Sequence, residues 1–408
     1  MNSDLYSTHF TTGGYIAFWI AAAIIGTFIT VTFISFISKR EIVRRQSKAL
    51  LFVFLVALSV WAFLWDPAPY YDSYKHFQWL NQIRNQKLGL FGFLENGFSG
   101  SKVGNYYGLI GFNILRYVVV TISANNHALP LLCTAIDYLI FYYVVTDFMD
   151  KEEISFTWLF VVWAMSFSFM SYFMVVSGIR NAFAASIAGL AVYNRLYKKR
   201  GYFEYAVLSV LAVTIHPNVA LPLFIAIVYP LFKGIKSIFV LLFCILFFRF
   251  GYTFLQSSGI PFLSYVGGVI EFYIVDNQYH GELTTYISDI VVIVCSLMLF
   301  VRNRRMLLLQ GDSQIGETQS AEFAKCVRFI LVYCMAVLAM AFVGGTNFLT
   351  REGYILGILS VFVVRVFSNL QYTVSKEGLP NLVLLAVIVV ASLANIGSEF
   401  LLLLAQFF

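Results

Sequence analysis

Four arginines in or beside long apolar stretches carry the most informative chemistry of this sequence: Arg116, Arg180, Arg249 and Arg351. Ionisable side chains at membrane depth cost free energy and are retained mostly where they have a function. The planar guanidinium fork binds phosphate oxygens in pairs, which suits a pyrophosphate better than lysine does. If the four meet on one side of a membrane, they predict a site for an anion such as a phosphate. The alternative is that each one extends to the headgroups as an interfacial anchor.

Two further residues can accept or donate a proton near these arginines. Asp72 lies in W-D-P-A-P-Y-Y-D-S-Y-K-H-F, directly after an apolar run, where a carboxylate can act as general base toward a hydroxyl. His216, in T-I-H-P-N-V-A-L, can donate to a phosphate or move a proton. The alternatives are a solvated loop with interfacial tyrosines for the first and a hydrogen-bonded structural histidine for the second.

Missing motifs narrow the chemistry further. The sequence has neither a G-x-x-x-x-G-K-[ST] phosphate loop nor an H-E-x-x-H zinc motif, which argues against ATP-driven transport and zinc proteolysis. His216 is too isolated to indicate a metal site. We therefore expect neither a metal nor a cofactor.

Apolar helices must position these residues. Of 408 residues, 60% are hydrophobic and only 12% are charged, against roughly a quarter charged in soluble domains. Runs such as 14–38 and 382–404 have the length of about 20 residues that a helix needs to cross a bilayer. They do not alternate in polarity as barrel strands do. The sequence predicts an all-α polytopic membrane protein with one helical domain over 1–408, whose charge of +6 orients it in a lipid bilayer rather than binding nucleic acid.

Basic clusters predict which side each loop faces. The clusters at 39–48 and 198–200 belong in the cytoplasm, so an even number of crossings must separate them. Five apolar runs lie between, and the weakest, 105–123, contains glycines, an asparagine and Arg116. We predict that it is re-entrant or interfacial, which implies a covered cavity on the outer side. The pattern gives about twelve crossings, outer loops at 66–126 and 252–283, and a cytoplasmic loop at 302–325.

The order of these motifs resembles the EpsG-like, Wzy-type polymerases of bacterial surface polysaccharides. The likeness is carried by D-S-Y-K-H-F, G-I-R-N-A-F-A and T-I-H-P-N-V-A-L within 66–225, with a looser match at T-R-E-G-Y. Asn181 stands where that family often has glutamine, and Pro217-Asn218 replaces its usual small pair. The resemblance implies a multi-pass, GT-C-like glycosyltransferase of the bacterial inner membrane. Its active site would face the periplasm.

The resemblance also implies substrates and partners. The donor would be a growing glycan on undecaprenyl diphosphate, and the acceptor a single oligosaccharide repeat on the same lipid, whose hydroxyl displaces the diphosphate. A chain-length regulator and a flippase would be partner proteins. The nearest alternative is an O-antigen ligase-like enzyme with the same donor. A lipid-linked glycan flippase or transporter is a third reading, for which midplane charges and repeated broken helices would be expected.

The expected roles follow from this chemistry. Arg180 and Arg351 would stabilise the leaving diphosphate, assisted by Arg116 or Arg249. Asp72 is the first choice for the base and His216 the second. The remaining residues expected to bind diphosphate or sugar are Asn181, Asn218, Tyr71, Tyr74 and Tyr354.

Overall fold

A computed structural model gives the helices that carry these residues. It describes residues 12–67, 69, 71–98, 109–231, 251–260, 263, 264, 267, 268, 271, 283–302, 317–344, 346–369 and 378–407. Numbered in chain order, the helices used below are α1 Thr12–Ser38, α2 Arg44–Leu64, α3 Asp72–Gln86, α4 Leu90–Phe98, α5 Ile110–Ile122, α6 Ala128–Lys151, α7 Leu159–Phe169, α8 Tyr172–Ser177, α9 Ile179–Leu196, α10 Tyr202–Ile215, α11 Ala220–Val228, α12 Leu283–Arg302, α13 Glu317–Gly344, α14 Thr346–Ile358, α15 Ser360–Asn369 and α16 Gly378–Phe407.

Long apolar helices confirm that the protein is a helical membrane protein. Within the described ranges, four segments are long and apolar enough to cross a bilayer: Ile16–Ser38, Arg44–Leu64, Ala128–Lys151 and Pro380–Ser398. Shorter apolar helices, such as α5 and α10, accompany them. Beyond the four, the number of crossings stays a prediction. About half of the predicted loops at 252–283 and 302–325 lies outside the described residues, and 317–325 of the second forms the start of α13.

Both basic clusters of the sequence lie at one end of the bundle, here called the basic end. Lys48 at the start of α2 forms an ion pair with Asp150 in the last turn of α6. Lys198, after α9, places its Nζ 3.0 Å from Asp147 Oδ1, one turn earlier on the same helix. The two clusters that the charge rule assigns to one side of the membrane are therefore close together.

The segment between α2 and α6 leaves and re-enters the bundle at the opposite end, here called the site end. His127, just before α6, has its Nε2 3.1 Å from Asp66 Oδ1, just after α2. The 13 residues of α5 rise about 20 Å, less than the roughly 30 Å hydrocarbon core. A Cβ on Gly111 of α5 would meet Thr214 Oγ1 of α10 at 2.6 Å, so only glycine allows this close contact. That α5 is re-entrant or interfacial stays a prediction.

Small residues bring the helices of the bundle core close together. A Cβ on Gly189 of α9 would lie 2.8 Å from Ile358 Cδ1 of α14. In α14 itself, Gly353 and Gly357 form a G-x-x-x-G face against the end of α7. A Cβ on Gly357 would meet Ser166 O at 2.8 Å. These contacts fix α14, which carries Arg351, relative to α9, which carries Arg180.

Candidate functional site

The first turn of α9 places Arg180 at the site end of the bundle. Gly178 separates α8 from α9, and a Cβ there would meet the carbonyl oxygen of Met174 at 2.9 Å. The Arg180 side chain is 12% exposed, and its Nη2 lies 3.8 Å from Oδ2 of Asp72, the first residue of α3. Lys75 Nζ approaches the other carboxylate oxygen at 3.6 Å. Asp72 is 40% exposed and lies between two cations, with one oxygen facing each.

Aromatic rings of α3 and α5 hold a second arginine beside the first. Arg116 is 1% exposed. Its guanidinium carbon lies 5.4 Å from the ring centre of Trp79 and 5.5 Å from that of Phe112. It also donates a hydrogen bond to Asn113 Oδ1. The guanidinium carbon of Arg180 lies 5.9 Å from the same Phe112 ring, so one aromatic side chain contacts both arginines.

His76 belongs to the same group although sequence reasoning gave it no role. It follows Asp72 by four residues on α3, the spacing that puts two side chains on one helix face. Its ring packs edge-on against Trp79 at 5.2 Å and Phe112 at 5.1 Å. Burial, and after it the charges of Arg180, Arg116 and Lys75, lower the pKa of His76 well below its usual value. His76 is therefore neutral in the folded protein.

A tight turn between α10 and α11 brings His216 to the cluster. His216 ends α10 in extended conformation, and Pro217 begins a short 3-10 turn, where its missing N–H leaves no donor unsatisfied. The backbone N–H of Asn218 donates to His216 Nδ1 at 3.3 Å. The Asn218 amide donates to Asn181 Oδ1 at 3.5 Å, which joins the turn to α9. Because proline cannot continue a helix, Pro217 is consistent with a turn at this point.

His216 lies within the electrostatic influence of two arginines. Burial comes first, then the charges of Arg180 and Arg351, and together they lower the pKa of His216 well below its usual value. On α14, Tyr354 contacts Ser186 of α9 and Ile358 contacts Gly189, so the two helices run parallel and the half-buried Arg351 lies at the same end as Arg180. Because Nδ1 accepts a hydrogen bond, the proton of the neutral imidazole is on Nε2. His216 is a hydrogen-bond donor in this arrangement.

Other residues expected at the site lie in different surroundings. Tyr354 is 1% exposed, and its hydroxyl accepts from Ser186 of α9 at 3.4 Å, so its ring lies inside the bundle. Tyr71 packs against Phe173 at 4.8 Å. Tyr74 is half-buried in the first turn of α3. Arg249 lies outside the described residues.

The arrangement combines three guanidinium groups, two neutral histidines and one accessible carboxylate. Arg116, Arg180 and Arg351 supply charge and paired donors for an anion, and aromatic surfaces limit the freedom of two of them. Asp72 is the exposed proton acceptor of the group. The geometry therefore suits chemistry in which negative charge develops on one group while a proton leaves another.

The long apolar helices and the arginine cluster at one end of the bundle together indicate a helical membrane protein with a polar site. The family model of the EpsG family matches residues 48–401, which is most of the chain, and the protein therefore belongs to the EpsG family. The resemblance seen in the sequence is confirmed. Membership gives the protein a general role as a glycosyltransferase-like polysaccharide polymerase of the inner membrane that acts on lipid-linked sugars. No curated protein and no solved structure is a significant match to the chain.

Proposed function

We propose that this protein joins undecaprenyl-diphosphate-linked oligosaccharide repeats at the site end of the bundle, on the periplasmic face of the inner membrane. The bundle would be GT-C-like, with about twelve crossings in all. The observation that carries the proposal is the grouping of arginines with a carboxylate and a histidine at the site end. Arg116 and Arg180 both contact the Phe112 ring, and Arg180 lies 3.8 Å from Asp72. The charges of Arg180 and Arg351 both lower the pKa of His216, after the larger effect of burial.

The reaction assigns a separate task to each kind of group. The acceptor hydroxyl attacks the anomeric carbon of the donor glycan, the bond from that carbon to the diphosphate oxygen breaks, and the diphosphate lipid leaves with the electron pair. Arginines placed where this negative charge develops stabilise the transition state more than the substrate. The hydroxyl proton passes to Asp72, whose carboxylate is the exposed one in the cluster.

His216 fits a donor role better than a base role. Its Nδ1 is occupied by the Asn218 N–H, and its neutral ring carries a proton on Nε2. A neutral histidine beside two arginines can donate a hydrogen bond to a phosphate oxygen without adding a third positive charge that would repel the arginines. The structure therefore favours Asp72 over His216 as the base.

The family match favours a polymerase over the two alternatives, an O-antigen ligase-like enzyme and a lipid-linked glycan flippase. The position of the charges also supports an enzyme. Arg180 lies in the first turn of α9 rather than at its middle, where a transporter site is expected.

The test compares matched arginine variants in cells and in vitro. Arg180→Ala and Arg351→Ala should leave the protein inserted while cells make only single-repeat glycans. Removing one preorganised charge donor costs on the order of 10²–10³ in rate. Arg45→Ala, an exposed arginine at the basic end, is the control and should give normal chains. Long chains from both site variants would refute the assignment.

A second experiment separates an enzyme from a transporter. Purified protein is incubated in detergent with lipid-linked repeats, where no compartments exist. Chain elongation there supports the proposal, because transport alone cannot lengthen a glycan. Absence of elongation by wild-type protein that is correctly folded would contradict it.

A further inference from the structure

A second polar pocket lies at the basic end of the bundle, away from the cluster described above. Its volume is about 160 Å³. It is lined by the end of α9, the start of α10, the last turn of α11 with the segment after it, and the first turns of α13. Arg195 in this pocket follows Arg180 by fifteen residues on α9, which separates the two sites by about 22 Å along the helix. The pocket is therefore a different site.

The pocket has more positive than negative charge. The Nζ atoms of Lys199 and Lys325 lie 3.2 and 2.9 Å from Glu322 Oε1, so the two lysines share one carboxylate. The third cation, Arg195, lies over the Tyr202 ring at 3.7 Å. Its Nη1 donates to the Arg200 carbonyl oxygen at 3.4 Å. Three cations against one carboxylate leave a net excess of two positive charges, which favours an anion.

The size and the surroundings of the pocket narrow the kind of anion. A pocket of about 160 Å³ has room for a phosphate group. Ala226 and Ile227 form part of an apolar wall, and Ile227 is 61% exposed. Tyr202 and Phe203, 70% and 84% exposed, continue this apolar surface outward. Aromatic residues in such positions mark the headgroup level of a membrane.

We propose that this pocket binds the phosphate headgroup of an anionic phospholipid. The phosphate lies among Arg195, Lys199 and Lys325, and the acyl chains lie along the exposed apolar side of α10 and α11. Exposed residues that supply this side are Val207, Val210, Leu211, Phe224 and Ile227. The proposal does not depend on the polymerase function, because none of these residues belongs to the site end.

The test removes two charges without isolating the carboxylate. In Arg195→Gln/Lys325→Gln, Glu322 keeps Lys199 as its partner. The control is Lys39→Gln/Arg45→Gln, which removes the same charge from exposed residues at the same end. Phosphatidylglycerol and phosphatidylcholine are titrated onto the full-length protein in detergent, and bound lipid is counted by native mass spectrometry. We expect wild type and control to prefer phosphatidylglycerol, and the pocket variant to bind it about 25-fold more weakly, at about fivefold per charge.

Each other outcome overturns the proposal. Equal binding of the two lipids by wild-type protein would show that charge does not select the ligand. Equal loss in the pocket and control variants would show only general attraction to a basic surface. Glycerol 3-phosphate is a soluble competitor, and displacement of the lipid by it at comparable concentration would identify the ligand as a soluble phosphate ester. A thermal unfolding midpoint of the pocket variant close to wild type establishes that it is folded.

Discussion

Substituting Phe112 by leucine tests whether the two neighbouring arginines act as a preorganised pair. The Phe112 ring is completely buried and lies 5.5 and 5.9 Å from the guanidinium carbons of Arg116 and Arg180. Leucine keeps an apolar side chain there but removes the π face that attracts both cations. We expect the protein to stay folded and to lose elongation rate, because each arginine loses one of the contacts that fix its position.

The expected magnitude follows from the burial of each arginine. A cation–π contact is worth roughly 0.5–1 kcal/mol when exposed and about 2 kcal/mol when desolvated. Arg116 is 1% exposed and Arg180 12%, so together the contacts amount to about 3 kcal/mol at most. If all of it orients the arginines for the transition state, the rate falls about a hundredfold, and if a third does so, the fall is about fivefold.

The assay measures repeats added per minute by purified protein in detergent, with a matched aromatic control. Phe141→Leu removes a completely buried ring that packs against Phe167, so it has a comparable packing cost without a cation. Phe112→Tyr should retain most of the rate, because the π face remains. Equal rates in Phe112→Leu and Phe141→Leu, at similar thermal stability, would refute the reasoning.

Two further predictions concern His216 and α14. Because the pKa of His216 is lowered, protonation of this ring should reduce elongation only below its ordinary value of about 6.5. A pH–rate limb at or above that value that disappears in His216→Asn would contradict this. Gly357→Ala brings a Cβ to 2.6 Å from Met170 Cγ and should destabilise the protein by about 1–3 kcal/mol in thermal unfolding. Gly26→Ala, with nothing within 4 Å, should not destabilise it, and an equal loss in both would contradict the packing account.

Helix order along the chain made much of the site predictable. Basic clusters assign helix ends to one side, and the remaining ends, including Arg180 and His216, must then meet on the other. Small residues in α9 favour close helix packing, and Gly189 makes such a contact with Ile358. Proline after His216 predicted the turn. Each of these signals is local, so no knowledge of tertiary contacts was needed.

Contacts between distant segments were not predictable in the same way. Trp79 and Arg116 meet only because α3 packs on α5, and the sequence gives no register for that packing. Tyr354 was expected to bind diphosphate or sugar, but its position on α14 turns it toward Ser186. The direction depends on the rotation of α14, which Gly353 and Gly357 set by approaching α7. A helix that is apolar on most sides does not reveal this rotation from sequence.

The basic end and the site end differ in how closely carboxylates approach their cations. This difference supports the site end as the proposed binding site of an anionic substrate. At the basic end, outside the phosphate pocket, Lys198 contacts Asp147 at 3.0 Å and Arg365 contacts Glu152 at 2.9 Å, so in these two pairs a carboxylate offsets the charge and ties helices together. At the site end, the nearest carboxylate oxygen of Asp72 lies 3.8 Å from Arg180, farther than in those pairs. His216 stays neutral there because burial, and after it the charges of Arg180 and Arg351, lower its pKa. Cations that only anchor helices gain most from carboxylates. Under the proposed function, cations held beside a neutral histidine maintain the positive potential that stabilises a diphosphate leaving group.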